Sequence, residues 1–252
     1  MNRLTKKTLQ GAGPFYFQGN SIGILMIPGG GGGTCADLKY IAEDIYRYNG
    51  CTIKIPLLPG FGTSPQDLKN TPIEAWKIAL NEEIKLLNSK CDKLIIGGHS
   101  MGGVLSLILA SKHNLNGVFT ISAPVGIKPF LAKLVPFIKL FIRYHHIPIE
   151  KFKKETNGKW VGYDKIPLNQ ATKMKKLIKE MKKNLPIIRC PALLLQGRLD
   201  STIITESMNY IFENIGSNLK RRIWLENNDH SILESPDHKL IVSEIINFIR
   251  DI

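Results

Sequence analysis

Seven residues in the middle of the chain, Gly97-Gly98-His99-Ser100-Met101-Gly102-Gly103, combine a hydroxyl nucleophile with glycines that let the backbone turn sharply around it. The apolar run Lys93-Leu94-Ile95-Ile96 leads in, and the helix-forming run Val104 to Ala110 leads out. A G-x-S-x-G spacing between a strand and a helix is the pattern of a nucleophile elbow. Its serine sits in a strained backbone, so its neighbours must be small, and Gly98 and Gly102 meet that need.

A serine hydroxyl is a weak nucleophile and needs a base and an orienting acid. In this strand–turn–helix context the chain order is serine, then Asp or Glu, then His. Five histidines follow Ser100: His113, His145, His146, His230 and His238. His230 stands in the polar loop Glu226-Asn227-Asn228-Asp229-His230-Ser231, directly after an apolar strand, and is the expected base. Asp200 follows the run Ala192 to Gly197 and is the expected acid. Asp229 is the rival, but a sequence neighbour of His230 usually points its side chain elsewhere. The backbone N–H groups of Met101 and Gly30 are the expected oxyanion donors, Gly30 lying in the loop after the strand Ile22 to Ile27.

These residues need a scaffold that delivers several strand ends to one edge. Short apolar runs at Ile22–Ile27, Cys51–Leu57, Lys93–Ile96, Gly117–Ser122, Pro191–Gly197 and Arg222–Leu225 alternate with helical patterns. The helices are expected from Thr34 or Asp37 to Tyr48, Pro72 to Asn88, the elbow to His113, Thr205 to Ile215 and Pro236 to Ile249. That alternation predicts an α/β fold with a mostly parallel central sheet flanked by helices. Active residues in such sheets gather at the carboxyl ends of the strands.

The alternation breaks between Ala123 and Leu185. Residues 128–189 carry 16 Lys plus Arg and 4 Asp plus Glu, so nearly all of the chain's net charge of +13 belongs to them. Phe130 to Ile142 is apolar. Met174, Leu177, Ile178, Met181 and Leu185 then recur at helical spacing, opposite a face of lysines. Residues 124–187 therefore read as a basic helical cap inserted within a single domain of 252 residues, before the strand that carries the acid. The lysine face is a solvated surface, an attractor for anionic acyl substrates, or a weak contact with anionic lipid or a membrane surface.

Four scattered cysteines give neither a metal pattern nor a disulfide framework. No leader-like apolar run follows Met1 to Lys7, and no stretch is of membrane-spanning length, which points to a cytoplasmic protein. The glycines Gly29 to Gly33 do not form a phosphate loop, since no lysine precedes Thr34. The lysine-rich helix lacks the aromatic residues that nucleic-acid binding would use.

Taken together, Gly98-His99-Ser100-Met101-Gly102-Gly103, the Pro59-Gly60-Phe61-Gly62 loop, the stretch from Ala171 through Pro191 to Asp200, and the loop at His230 resemble the α/β-hydrolase superfamily. They are most similar to its small bacterial carboxylesterases and monoacylglycerol lipases. The resemblance implies a short helical cap, an acyl pocket beneath it, no cofactor, and a small-molecule acyl ester as substrate. It also shows a departure: that family usually has His-Gly and a bulky residue where this chain has Pro28-Gly29-Gly30. Three functions fit these expectations: a carboxylesterase for short- to medium-chain esters, monoacylglycerols among them; an acyl-CoA thioesterase steered by the basic segment; and a non-catalytic ligand-binding member of the fold.

Overall fold

In the computed structural model, residues 7–128 and 143–252 are described. The apolar run Phe130 to Ile142 and the segment Met1 to Lys6 lie outside the described residues. The chain order is β1 (Phe15–Phe17), β2 (Asn20–Ile27), α1 (Ala36–Asn49), β3 (Cys51–Ile55), α2 (Pro65–Asn70), α3 (Ile73–Asn88), β4 (Lys93–His99), α4 (Met101–Ala110) and β5 (Gly117–Ile121). After β6 (Tyr144–His146), α5 (Ile149–Glu155), β7 (Lys165–Pro167) and α6 (Asn169–Asn184) come β8 (Ala192–Gly197), α7 (Ser207–Asn214), β9 (Lys220–Leu225) and α8 (His238–Asp251).

Among the described residues the main sheet has seven strands in the order β1-β3-β2-β4-β5-β8-β9. Only β1 runs antiparallel. Its inner strands β2, β4, β5 and β8 are largely apolar on both faces because both faces are covered. Leu25, Ile27, Leu94, Ile96 and Leu194 point to the side packed by α3, α4 and α6. Ile24, Met26, Ile95, Leu193 and Leu195 point to the side packed by α1 and α8. Fully burying each such side chain contributes roughly 1.5–3 kcal/mol. The crossover from β2 to β4 places the elbow at the centre of the sheet, where strands on both sides shield it.

Between β5 and β8 the chain leaves the sheet. Strands β6 and β7 form a two-stranded antiparallel pair. Helix α6 buries Leu177, Ile178 and Met181 as its periodicity predicts, while Lys175, Lys176, Lys179 and Lys183 face solvent. Its first turns also satisfy carbonyls at the end of α2. Asn169 Nδ2 donates to the Lys69 carbonyl (2.9 Å) and Gln170 Nε2 to that of Leu68 (3.1 Å). Lys173 Nζ donates to the carbonyls of Leu68 (2.8 Å) and Thr71 (2.7 Å). Those groups would otherwise lack partners at a helix C-terminus.

Two local features depart from the sequence expectation. Helix α2 lies in what reads as loop. Ser64 caps it by accepting from the Asp67 N–H (3.1 Å), with Pro65 in the first turn. Helix α1 begins after Cys35, which makes no side-chain cap; Thr34 Oγ1 is turned toward the Val161 carbonyl (2.8 Å).

Gly97 is needed for packing. A Cβ there would sit 2.1 Å from Cζ of the fully buried Phe119. Gly97→Ala should therefore lower stability by about 2–3 kcal/mol, as overpacked cores do. Adding Phe119→Leu should recover part of the loss, both read as shifts in the urea midpoint.

Candidate active site

Ser100 joins the end of β4 to the start of α4 with φ 52° and ψ −116°, a conformation that costs on the order of 1–3 kcal/mol. Its own backbone holds it there. Its N–H donates to the Ile121 carbonyl (2.8 Å), and its carbonyl accepts from Val104 (3.2 Å). The flanking glycines are sterically required. A Cβ on Gly102 would lie 1.9 Å from the Ile27 oxygen, and one on Gly98 would lie 2.4 Å from the Gly102 carbonyl carbon.

The loops after β8 and β9 bring the expected partners to this serine. Nε2 of His230 is 3.0 Å from Ser100 Oγ, and Nδ1 of His230 is 2.8 Å from Asp200 Oδ2. Asp200 is buried, and its other oxygen accepts from the N–H groups of Thr202 (2.9 Å) and Ile203 (3.1 Å). Burial works to raise the Asp200 carboxyl. The hydrogen bond and charge of His230, with the two amides, outweigh it and hold the group below its ordinary range. Asp229 Oδ1 accepts from Ser231 N–H (2.8 Å) inside its own loop. Of the remaining histidines, His113 bonds Asn81 (2.7 Å), His238 bonds Asp44 (2.8 Å), and His145 and His146 lie in β6.

The two partner loops are knitted together through Asn228, which is fully buried. Its Nδ2 donates to the carbonyls of Asp229 (2.6 Å) and Ser231 (3.2 Å), and its own carbonyl accepts from Leu199 (3.1 Å). A Cβ on Gly197 would strike that carbonyl oxygen at 2.3 Å, so the close approach of the loops needs glycine there.

His99 has a part that sequence reasoning passed over. Its ring is buried, and Nε2 donates to the backbone carbonyl of His230 (2.8 Å). Burial first, and then the neighbouring His230, push it down to about 3. It is therefore a neutral imidazole with its proton on Nε2, and it holds the main chain of His230. The elbow pattern offered a signal, since a polar ring next to the serine calls for a hydrogen-bond partner; Nε2 finds one, while Nδ1 is buried with none among the described residues.

Met101 is the first residue of α4, where amides have no partner within the helix. Gly30 adjoins it: a Cβ on Gly30 would come 2.7 Å from Met101 Sδ and 3.0 Å from its Cβ. Gly29, Gly30, Gly31 and Gly33 form one wall of a cavity of about 700 Å³ that also contains Ser100 and His230. The loop is not loose. Gly32 O accepts from Tyr163 N–H (3.0 Å), and Tyr163 OH donates to Gly60 O (2.7 Å).

The same wall contains Asp37, another residue that sequence reasoning placed only as a helix start. Its Oδ1 is out of solvent and makes no hydrogen bond among the described residues. Burial pushes this carboxyl up to about 7.

Comparison with known proteins agrees with the geometry. Residues 60–237 match the hydrolase family described as serine aminopeptidase, S33. A thermostable monoacylglycerol lipase of Bacillus sp. (strain H-257) is 30% identical over 95% of each chain. A carboxylesterase of Bacillus subtilis (strain 168) is 25% identical over 94% of this chain and 96% of its own. A solved structure from work on the metagenome-derived lipolytic enzymes LipS and LipT superimposes with a TM-score of 0.88 at 28% identity, covering 98% of this chain and all of its own.

Two measurements follow from these contacts. Asp200→Asn should present the wrong imidazole tautomer to Ser100 and lower kcat by about 10³–10⁴-fold, whereas Asp229→Asn should have a small effect. For Asp37, the unfolded chain releases its proton near pH 4 and the folded chain holds it to about 7. Between those values the folded state binds more protons, so stability falls as pH rises. Asp37→Asn removes that slope, and its urea midpoint should exceed the wild-type value at about pH 8 and converge on it near pH 4. The family match and the near-full-length relatives identify the chain as a member of the α/β-hydrolase family and a carboxylic ester hydrolase.

Proposed function

We propose that this chain is a serine esterase acting on neutral short- to medium-chain acyl esters, monoacylglycerols among them. Ser100 is the nucleophile, His230 the general base and Asp200 the orienting acid. The observation that carries this reading is the continuous hydrogen-bond line from Asp200 Oδ2 through His230 to Ser100 Oγ, opening into the 700 Å³ cavity. The names of the two curated relatives, a monoacylglycerol lipase and a carboxylesterase, support the substrate class.

In the reaction, Ser100 Oγ attacks the ester carbonyl carbon as His230 Nε2 takes its proton. The negative charge that develops on the carbonyl oxygen is received by the backbone N–H groups of Met101 and Gly30. The intermediate collapses, the C–O bond to the alcohol breaks, and His230 returns the proton to the leaving oxygen. Water then attacks the acyl-enzyme with His230 again as base, releasing the acid and restoring Ser100. Asp200 keeps the imidazole in the tautomer that accepts at Nε2 and stabilises its cation.

In this reading residues 124–187 are the cap over the acyl site, and their lysines are chiefly a solvated outer face. Among the described residues that line the cavity there is no lysine or arginine. A thioesterase drawing in an anionic acyl-CoA would be served by cations at the mouth, so the thioester reading is the weaker one. Contact of the lysine face with anionic lipid is a separate matter that vesicle binding can decide.

A chain-length series of neutral chromogenic esters, run beside acyl-CoA esters, tests the assignment. Wild type should hydrolyse the neutral esters at rates that barely respond to ionic strength. Ser100→Ala should lose on the order of 10⁴-fold or more in kcat. Equal slow hydrolysis by both proteins would remove the proposal. A Cβ on Gly31 meets nothing within 4 Å, so Gly31→Leu should fold, fill part of the cavity and shift preference to shorter acyl chains.

A further inference from the structure

The stretch by which the chain leaves the sheet after β5 runs beside the turn that carries Asp200. Ile127 and Ile203 form an isolated antiparallel bridge. The N–H of Lys128 donates to the Thr202 carbonyl (3.1 Å), and the N–H of Ile204 donates to the Gly126 carbonyl (3.1 Å). The side chain of Lys128 then folds back onto the same turn, where Nζ donates to the backbone carbonyl of Asp200 (2.7 Å).

Lys128 therefore grips the turn at two points, and the amides that cradle the carboxylate lie between them. The N–H groups of Thr202 and Ile203 donate to Asp200 Oδ1. The Thr202 carbonyl and the Ile203 N–H belong to one rigid peptide plane, so Lys128 holds one edge of the plane while the carboxylate takes the other. The distances single out the side-chain contact. The N–H of Asp200 reaches the Gly197 carbonyl at 3.4 Å, near the limit of a hydrogen bond, whereas the carbonyl of Asp200 is held at 2.7 Å by a charged donor. Lys128 is the one donor to that carbonyl among the described residues. Without the ammonium, the main-chain groups of Asp200 itself keep only the long contact.

We propose that Lys128 is a positioning residue: it fixes the turn from Asp200 to Ile203, and with it the carboxylate that orients His230. This rests on the esterase reading of the same site. Lys128 is not among the residues that line the cavity, so its effect on the reaction runs through Asp200 rather than through substrate. Small displacements of an orienting group are costly, since misplacement by about 1 Å can lower a rate by on the order of 10²-fold.

Steady-state kinetics on a neutral chromogenic ester test the inference with Lys128→Met and Lys128→Arg, each in the wild-type and the Asp200→Asn background. Lys128→Met keeps the stem and removes the donors, and should lower kcat by about tenfold while KM stays within about twofold. Lys128→Arg keeps a charged donor and should recover most of the loss. If Lys128 acts through the acid, the two changes are not additive, and Lys128→Met should cost less than about twofold once Asp200 is Asn. An unchanged kcat in Lys128→Met, a loss confined to KM, or a full tenfold loss that persists beside Asp200→Asn would each overturn the assignment. A second readout needs no turnover: the proton in the hydrogen bond between His230 Nδ1 and Asp200 Oδ2 gives a far-downfield NMR signal. That signal should shift or broaden in Lys128→Met and hold its place in Lys128→Arg; an unchanged signal in Lys128→Met would also overturn the assignment. Lys128→Gln, too short to reach the carbonyl, takes the place of Lys128→Met if the latter fails to fold. Failure of wild type to hydrolyse any ester would remove the esterase reading and leave the NMR comparison to decide on Lys128.

Discussion

The site depends on how closely three main-chain segments meet at the end of β4. The Ile27 carbonyl, Gly98 and Gly102 approach so tightly that a single methyl group on either glycine would collide with backbone. This contact sets the height of Ser100 above the sheet. It also draws the glycine loop after β2 against Met101, so that two chain segments far apart in sequence face the same point. Because backbone rather than side chains makes the contact, relaxation is expensive, and the unfavourable φ of Ser100 is fixed from both sides.

The remaining groups are arranged by loops that share atoms. Asn228 ties the Asp200 loop to the His230 loop, and His99 reaches the main chain of His230 from the elbow. Burial acts on two neighbours of His230 with different results. Asp200 has hydrogen-bond donors and keeps its charge, while at His99 burial outweighs the pull of the Asp200 carboxylate and the ring stays neutral. His230 thus lies between a negative carboxylate and an uncharged ring.

Much of this was legible in the sequence because it is written in local periodicity. Apolar runs and helical spacing gave the strands and helices, and chain order pointed to the serine, carboxylate and imidazole that the structure brings within hydrogen-bond distance. The choice of Asp200 over Asp229 rested on a general argument about neighbours, and the contact of Asp229 with Ser231 supplies its physical content. What escaped reading depends on distant chain segments. The closeness of Gly33 to the Asp37 carboxyl comes from the glycine loop, and the role of His99 comes from a carbonyl 131 residues away. Helix α2 was missed for a different reason: Ser64-Pro65 carries a start signal, but the helix is only six residues long and shows too little periodicity to register.

Tyr163 touches both the Gly32 peptide and the loop at Gly60 and Thr63, and Val161 receives the hydroxyl of Thr34. The excursion is thereby fastened to the peptides that lead into α1. Residues 161–163 and the turn into α1 thus share hydrogen bonds at Gly32 and at Thr34, so a substitution that displaces one of these two stretches also breaks contacts of the other.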